Sequence, residues 1–221
     1  MVSRQRLKVA ILISGRGSNM RALAEACGKR DFPAEVACVM SNRADAAGLD
    51  FAAKAGLATH VVDHKAFSSR EAFDEALSQA IEERGADLVC LAGFMRLLGA
   101  GFVERWRDRL INIHPSLLPA FKGLDTHARV LASGAKFTGC TVHFVRPEMD
   151  DGPIIVQAAV PVTPEDTESS LADRVLAEEH RIYPLALRWI AEERVRVADE
   201  TVLVDGARAT NEILINPGSV A

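Results

Sequence analysis

The chain has 221 residues, of which 48% are hydrophobic and 25% charged, and it carries a formal net charge of −4. That length supports a sizeable core without staples, and the charge excludes the basic footprint of a general nucleic-acid binder, so an anionic ligand has to be met by local donors. Cys27, Cys38, Cys90 and Cys140 form no CxxC pair and no Cys/His metal spacing, which reads as buried reduced thiols and no metal centre. The apolar run after MVSRQRLK is too short for a signal peptide, and no run approaches the roughly 18–20 residues of a membrane span, so a cytoplasmic protein without a membrane partner is expected.

In chain order, KVAILIS (8–14), AEVACVMS (34–41), ATHVVD (58–63) and DLVCLAG (87–93) read as buried strands. They alternate with helical patterns over 19–29, 45–55 and 68–84. Continuous apolar strands in a βαβ pattern predict a doubly wound, mostly parallel α/β sheet with helices on both faces. LINIH (110–114) is a further strand leading into the Pro-bounded loop PSLLPAFKG. THARVLASG is helical, and GCTVHFVR (139–146) and GPIIVQAAVPV (152–162) are strands around the acidic turn PEMDD. A long helix follows over about 168–195, with Thr167, Ser169 or Ser170 as its cap, and the tail predicts a C-terminal hairpin turning at Asp205-Gly206. With no repeat or linker, 1–221 reads as one domain in two halves, about 1–100 binding phosphate or nucleotide and about 101–221 supplying catalysis.

Two constellations carry chemistry. Gly15-Arg16-Gly17-Ser18-Asn19 lies where the first strand turns into the first helix, where free N–H groups and the helix dipole favour a phosphate. Met20 breaks a GxGxxG fingerprint and no GK[ST] follows, leaving a single-phosphate cradle at Gly17, Ser18 and Asn19 or a structural βα turn. The second is Asn112-Ile113-His114, whose two polar residues project to the same side at the carboxyl end of a strand, together with Asp150 in the acidic turn. An Asn amide can donate to a developing oxyanion, and a carboxylate can orient an imidazole and favour its charged form. No G-x-S-x-G and no Cys beside the His is present, so the pattern suggests acyl transfer without a covalent nucleophile.

GRGSN, LAGFMRLL, NIHPSLLPAFKG, TVHFV, EMDDGPI and EEHRIYP, in this order over roughly 7–195, resemble the folate-dependent phosphoribosylglycinamide formyltransferases of purine synthesis. The resemblance implies the formyltransferase fold, 10-formyltetrahydrofolate as co-substrate, no metal, small-molecule substrates, and a monomer or homodimer. It implies a catalytic set of Asn112, His114 and Asp150. Gly17, Ser18, Asn19 and Glu179 would receive the ribotide, and Arg70, Met95, Arg96, Leu97 and Leu98 the folate. His127 and His143 match family positions near the site. Lys122 and Asp125 depart from the pattern, where relatives carry Pro and His, which touches substrate contacts rather than the catalytic set.

The mechanism so implied is attack of the ribotide's amine on the formyl carbon, with Asn112 and protonated His114 stabilising the oxyanion and Asp150 assisting, through a water where protons move. Methionyl-tRNA formyltransferase is similar but is expected to need a longer chain. Formyltetrahydrofolate deformylase is similar too, yet its regulatory domain would have to precede a strand that starts at about Lys8. A non-catalytic nucleotide-binding module would leave Asn112, His114 and Asp150 without a common purpose.

Overall fold

The computed structural model describes residues 5–208 and 212–217. The alternating apolar and helical segments build a seven-stranded sheet from β1 (Leu7–Ile13), β2 (Ala34–Ser41), β3 (Thr59–Val61), β4 (Leu88–Leu91), β5 (Leu110–His114), β6 (Phe137–Phe144) and β7 (Ile154–Pro161). The strand order is β3-β2-β1-β4-β5-β6-β7. β1 to β5 are parallel, whereas β6 runs antiparallel to both its neighbours. The helices are α1 (Ser18–Cys27), α2 (Ala47–Lys54), α3 (Arg70–Glu83), α4 (Ala100–Arg105), α5 (Thr126–Ser133) and α6 (Glu168–Ala191).

The uninterrupted apolar run of β1 is explained by burial on both faces. Val9, Ile11 and Ile13 point into one core, with Met20 and Leu23 of α1 and Leu171, Val175 and Tyr183 of α6. Ala10 and Leu12 point into the other, with Phe73 and Leu77 of α3 and Phe102 of α4. Asn112 and His114 share the parity of Leu110, so they lie on the α3/α4 face of the sheet, at the end of the strand where that core stops. All four cysteines are buried and free. Burial pushes the thiols of Cys27 and Cys140 up to about 12, which keeps them protonated.

α6 is fixed at both ends of its buried stripe. Its N-terminus closes with a capping box between Thr167 and Ser170. Further along, the Tyr183 hydroxyl lies 2.9 Å from the Leu91 carbonyl and 3.2 Å from that of Ile111, so the helix is docked under β4 and β5. Glu179, one turn before Tyr183, is carried on the same face toward α1.

Three features depart from the sequence reading. The short α4 has no distinct sequence pattern; it is held by packing of Phe102, Val103 and Trp106, whose indole donates to Ser78 Oγ at 2.8 Å. The long helix ends at Ala191 rather than near Val195, because the chain there enters β8 (Val195–Ala198), paired with β9 (Thr201–Val204). The hairpin therefore turns at Asp199-Glu200, with φ of 48° and 55°, the left-handed pair that a two-residue connection requires. Asp205-Gly206 lies past the end of β9.

Candidate active site

α1 is entered from Gly17, whose φ of 72° is left-handed, and no side chain caps the helix. Its first N–H groups therefore face outward without helical acceptors. A Cβ on Gly17 would lie 2.9 Å from Met20 Cε and 3.1 Å from Gly48 Cα, so the turn is packed as tightly as glycine allows. Ser18 lines an open groove with Arg16, Arg21, Lys29 and Arg181, whose positive charge outweighs that of Glu25 and is what the −4 chain lacks in bulk. Asn19 turns inward, donating from Nδ2 to Glu179 Oε2 at 2.6 Å, while its Oδ1 is buried without a partner among the described residues. Burial raises the Glu179 carboxyl above its ordinary pKa, against the opposing pull of the Asn19 amide.

Two strands along, Asn112, His114, His143 and Asp150 come together. Asn112 and His143 are paired across the β5–β6 ladder, and His114 faces Thr141. His143 Nδ1 lies 2.8 Å from the Phe144 carbonyl, which assigns the proton to that nitrogen, so Nε2 accepts from Asn112 Nδ2 at 3.4 Å. Burial lowers the His143 pKa, only partly offset by the Phe144 carbonyl and Asp150, and the ring stays neutral. The second hydrogen on Asn112 Nδ2 has no protein acceptor among the described residues. His114 is buried, with Nε2 2.9 Å from the Phe121 carbonyl and Nδ1 3.3 Å from Asp150 Oδ2, so both nitrogens face oxygens.

Asp150 reaches this point by an indirect route. β6 ends opposite Ile111, away from the carboxyl end of β5, and the connection 145–153 folds back over the sheet face. Asp150 holds a left-handed φ of 51°, and its Oδ2 accepts from Gly123 N at 2.8 Å. The Lys122 ammonium pairs with Asp151, so the departure from the family pattern at Lys122 ties the 119–123 loop to this turn. Asp125 is exposed at the start of α5 with φ 54° and caps nothing with its side chain. His127 Nδ1 is buried without a partner among the described residues, and burial lowers that ring's pKa, opposed by Glu168 and helped by His114.

The folate candidates gather at the β4 end. Arg96 stacks 4.9 Å over the Phe73 ring, and its Nε is buried without a partner among the described residues. Met95 and Leu97 expose large apolar surfaces, 73% and 62%, and Leu98 packs against the α3/α4 core. Arg70 is the first residue of α3, and its Cδ would stand 3.7 Å from a Cβ placed on Gly99. The sequence reading missed Asp74, whose Oδ2 accepts from Gly99 N at 2.7 Å, and whose carboxyl is raised by burial despite that bond and the charges of Arg70 and Arg96. Its signal was the i,i+4 spacing from Arg70 on one helix face. Ser14, which heads the glycine-turn motif Ser14 to Met20 but had no role of its own in the sequence, accepts from Met95 N at 2.8 Å and donates to Asn42 Oδ1 at 2.6 Å, joining the β1, β2 and β4 ends.

A Formyl transferase family pattern matches residues 7–187. The chain belongs to that family. Among formyl transferase relatives, the phosphoribosylglycinamide formyltransferase of Escherichia coli is 46% identical over 202 residues, covering 91% of this chain and 95% of that protein. The trifunctional purine biosynthetic protein adenosine-3 of Bos taurus is 48% identical over 198 residues, but the chain spans only 20% of its length. A solved structure of glycinamide ribonucleotide transformylase 1 from Symbiobacterium toebii shares the formyl transferase fold with a TM-score of 0.88 and 48% identity, over 90% of this chain and 94% of that one. The Coxiella burnetii phosphoribosylglycinamide formyltransferase aligns with a TM-score of 0.87 and 44% identity, over 91% and 95%.

Proposed function

We propose that the chain transfers the formyl group of 10-formyltetrahydrofolate to the amine of 5'-phosphoribosylglycinamide. The observation that carries this reading is the spacing of two sites on one sheet edge. The uncapped α1 terminus follows β1, and Asn112 with His114 ends β5; β4 alone lies between them. Two strand spacings are roughly 10 Å, the reach of a ligand with a phosphate at one end and a primary amine at the other. Asn19 and Glu179 stand beside the phosphate end, suited to the ribotide's polar middle.

In the chemistry, the amine nitrogen attacks the formyl carbon and forms a C–N bond. The carbonyl oxygen becomes an oxyanion, which the free Asn112 Nδ2 hydrogen and the charged His114 ring stabilise. Asp150 neutralises the imidazolium and keeps the ring in place. The bond from the formyl carbon to folate N10 then breaks, and the amine's proton reaches N10, relayed by a water at the Asp150 carboxylate. The products are formylated ribotide and tetrahydrofolate. The folate fits the β4 end, where Arg70 and the half-buried Arg96 offer charge to carboxylates and ring oxygens, and Met95, Leu97 and Leu98 offer apolar surface.

No helix among the described residues is long and apolar enough to cross a membrane, and no group of three or more metal-ligating side chains is found among them. We take the enzyme to act on small molecules in the cytoplasm, as a monomer or homodimer. An absorbance assay of folate product, with and without ribotide, tests the reading. Product that appears only with the ribotide is expected, and equal release without it would make water the acceptor and the protein a hydrolase.

A further inference from the structure

Arg146 lies at the base of the connection that carries Asp150 and is only 7% exposed. Its Nε donates to Glu200 Oε2 at 2.6 Å, its Nη2 to Asp108 Oδ1 at 2.7 Å, and its Nη1 to the Val145 carbonyl at 3.1 Å. Glu200 sits at the tip of the β8–β9 hairpin and is gripped a second time by Arg107 Nη2 at 2.6 Å. Asp108 comes from the turn before β5. A single buried guanidinium thus joins the entry to β5, the exit from β6 and the C-terminal hairpin.

The backbone at this junction is held against its preference. Asp108, Asp199 and Glu200 have φ of 56°, 48° and 55°, left-handed values that persist in non-glycine residues where the surroundings fix them. The stem of Arg146 also touches the catalytic turn. A Cβ on Gly152 would stand 3.2 Å from Arg146 Cγ and 1.8 Å from the Phe144 carbonyl oxygen, so the turn passes this stem, two residues from Asp150, too closely to admit a side chain. Nothing in the reaction proposed above uses Arg146, Asp108, Glu200 or the hairpin.

We propose that Glu200 and Asp108, acting through Arg146, are positioning residues for Asp150: the C-terminal hairpin is a strap that sets the turn whose carboxylate faces His114. A buried guanidinium without counter-charges would shift toward solvent and release the turn lying on its stem. The inference rests on the proposed role of Asp150 in formyl transfer. Displacing that carboxylate by a fraction of an ångström weakens charge stabilisation in the transition state while leaving the phosphate end, on the far side of β4, as it was.

The test uses Glu200→Gln, Asp108→Asn and the double variant, which keep size and, at position 108, tolerance of positive φ. Two quantities are read: steady-state kcat and KM, and hydrogen exchange of the Gly123 amide, which donates to Asp150 Oδ2. The double variant is expected to lose on the order of tenfold in kcat with ribotide KM within about twofold of the parent, and its Gly123 amide should exchange faster while β1 and β4 amides do not. Each single variant should show the same direction to a smaller extent, which keeps the test decisive if the double variant fails to fold. Parent-like kcat and Gly123 exchange overturn the proposal, as does faster exchange spread evenly through the sheet, which would make the strap a support of the whole fold. A parent enzyme that shows no ribotide-dependent transfer would instead remove the functional reading, and the Gly123 exchange would still decide whether the hairpin holds the turn.

Discussion

Asn112 and His143 face each other across the β5–β6 ladder with 3.4 Å between Nδ2 and Nε2. The neutral tautomer of His143, fixed by the Phe144 carbonyl, makes the ring an acceptor and so sets which way the Asn112 amide points. The second amide hydrogen is then aimed by the first.

His143→Leu keeps the bulk and deletes the acceptor, leaving the Asn112 amide free to turn. Turnover should fall on the order of tenfold with ribotide KM near the parent value, as expected when an oriented donor loses its fixed direction. Steady-state kinetics decide it, and an unchanged kcat would show that Asn112 is held by something other than this ring. Because burial lowers the His143 pKa, the folded state loses stability as the pH falls from the ordinary value of 6.5 through the lowered one; the leucine variant should lack that part of the acid sensitivity.

Gly17→Val forces a side chain into a left-handed turn with Met20 Cε and Gly48 Cα already in the way. The strain costs roughly 1–2 kcal/mol before any ligand is considered, and relief would move the first N–H groups of α1. Ribotide KM should rise about tenfold or more while folate affinity stays near the parent's. Isothermal titration of each ligand separates the two, and equal ribotide binding would return this turn to a purely structural role.

Glu179→Gln addresses the buried carboxyl beside Asn19. The folded-state pKa is raised above the ordinary 4.5, so below 4.5 both states are protonated and stability is full; as the pH climbs through the raised value, ionising the desolvated group removes stability. The glutamine variant should therefore melt higher than the parent at neutral pH, with the gap closing toward pH 4.5. It should also bind ribotide more weakly, since the carboxylate is proposed to contact it. Thermal melts across that range are the check, and parallel curves would mean that Glu179 is not desolvated.

The strand framework was legible because β1, β2 and β4 are apolar on both faces and the crossovers carry clear helical periodicity. The position of Asn112 and His114 followed from the two-residue repeat of a strand. The arrival of Asp150 beside His114 did not, because β6 runs antiparallel and its connection has to fold back over the sheet, a path that spacing alone does not encode. The Asn19–Glu179 bond joins residues 160 positions apart and depends on Tyr183 docking α6 under β4 and β5. The hairpin turn was misplaced because Asp205-Gly206 is the stronger local signal, whereas Asp199-Glu200 is fixed by the Arg146 and Arg107 ion pairs of Glu200, which no local pattern announces.

The central claim is that Asn112 and His114 stabilise the transition state of formyl transfer without holding the ligands. The most direct measurement is the single-turnover rate of Asn112→Ala with ribotide and 10-formyltetrahydrofolate both saturating. The account predicts a loss of about 10²–10³, the usual cost of removing a preorganised oxyanion donor, with both dissociation constants near those of the parent. A rate close to the parent's, or a loss recovered entirely at higher ligand concentration, would contradict it.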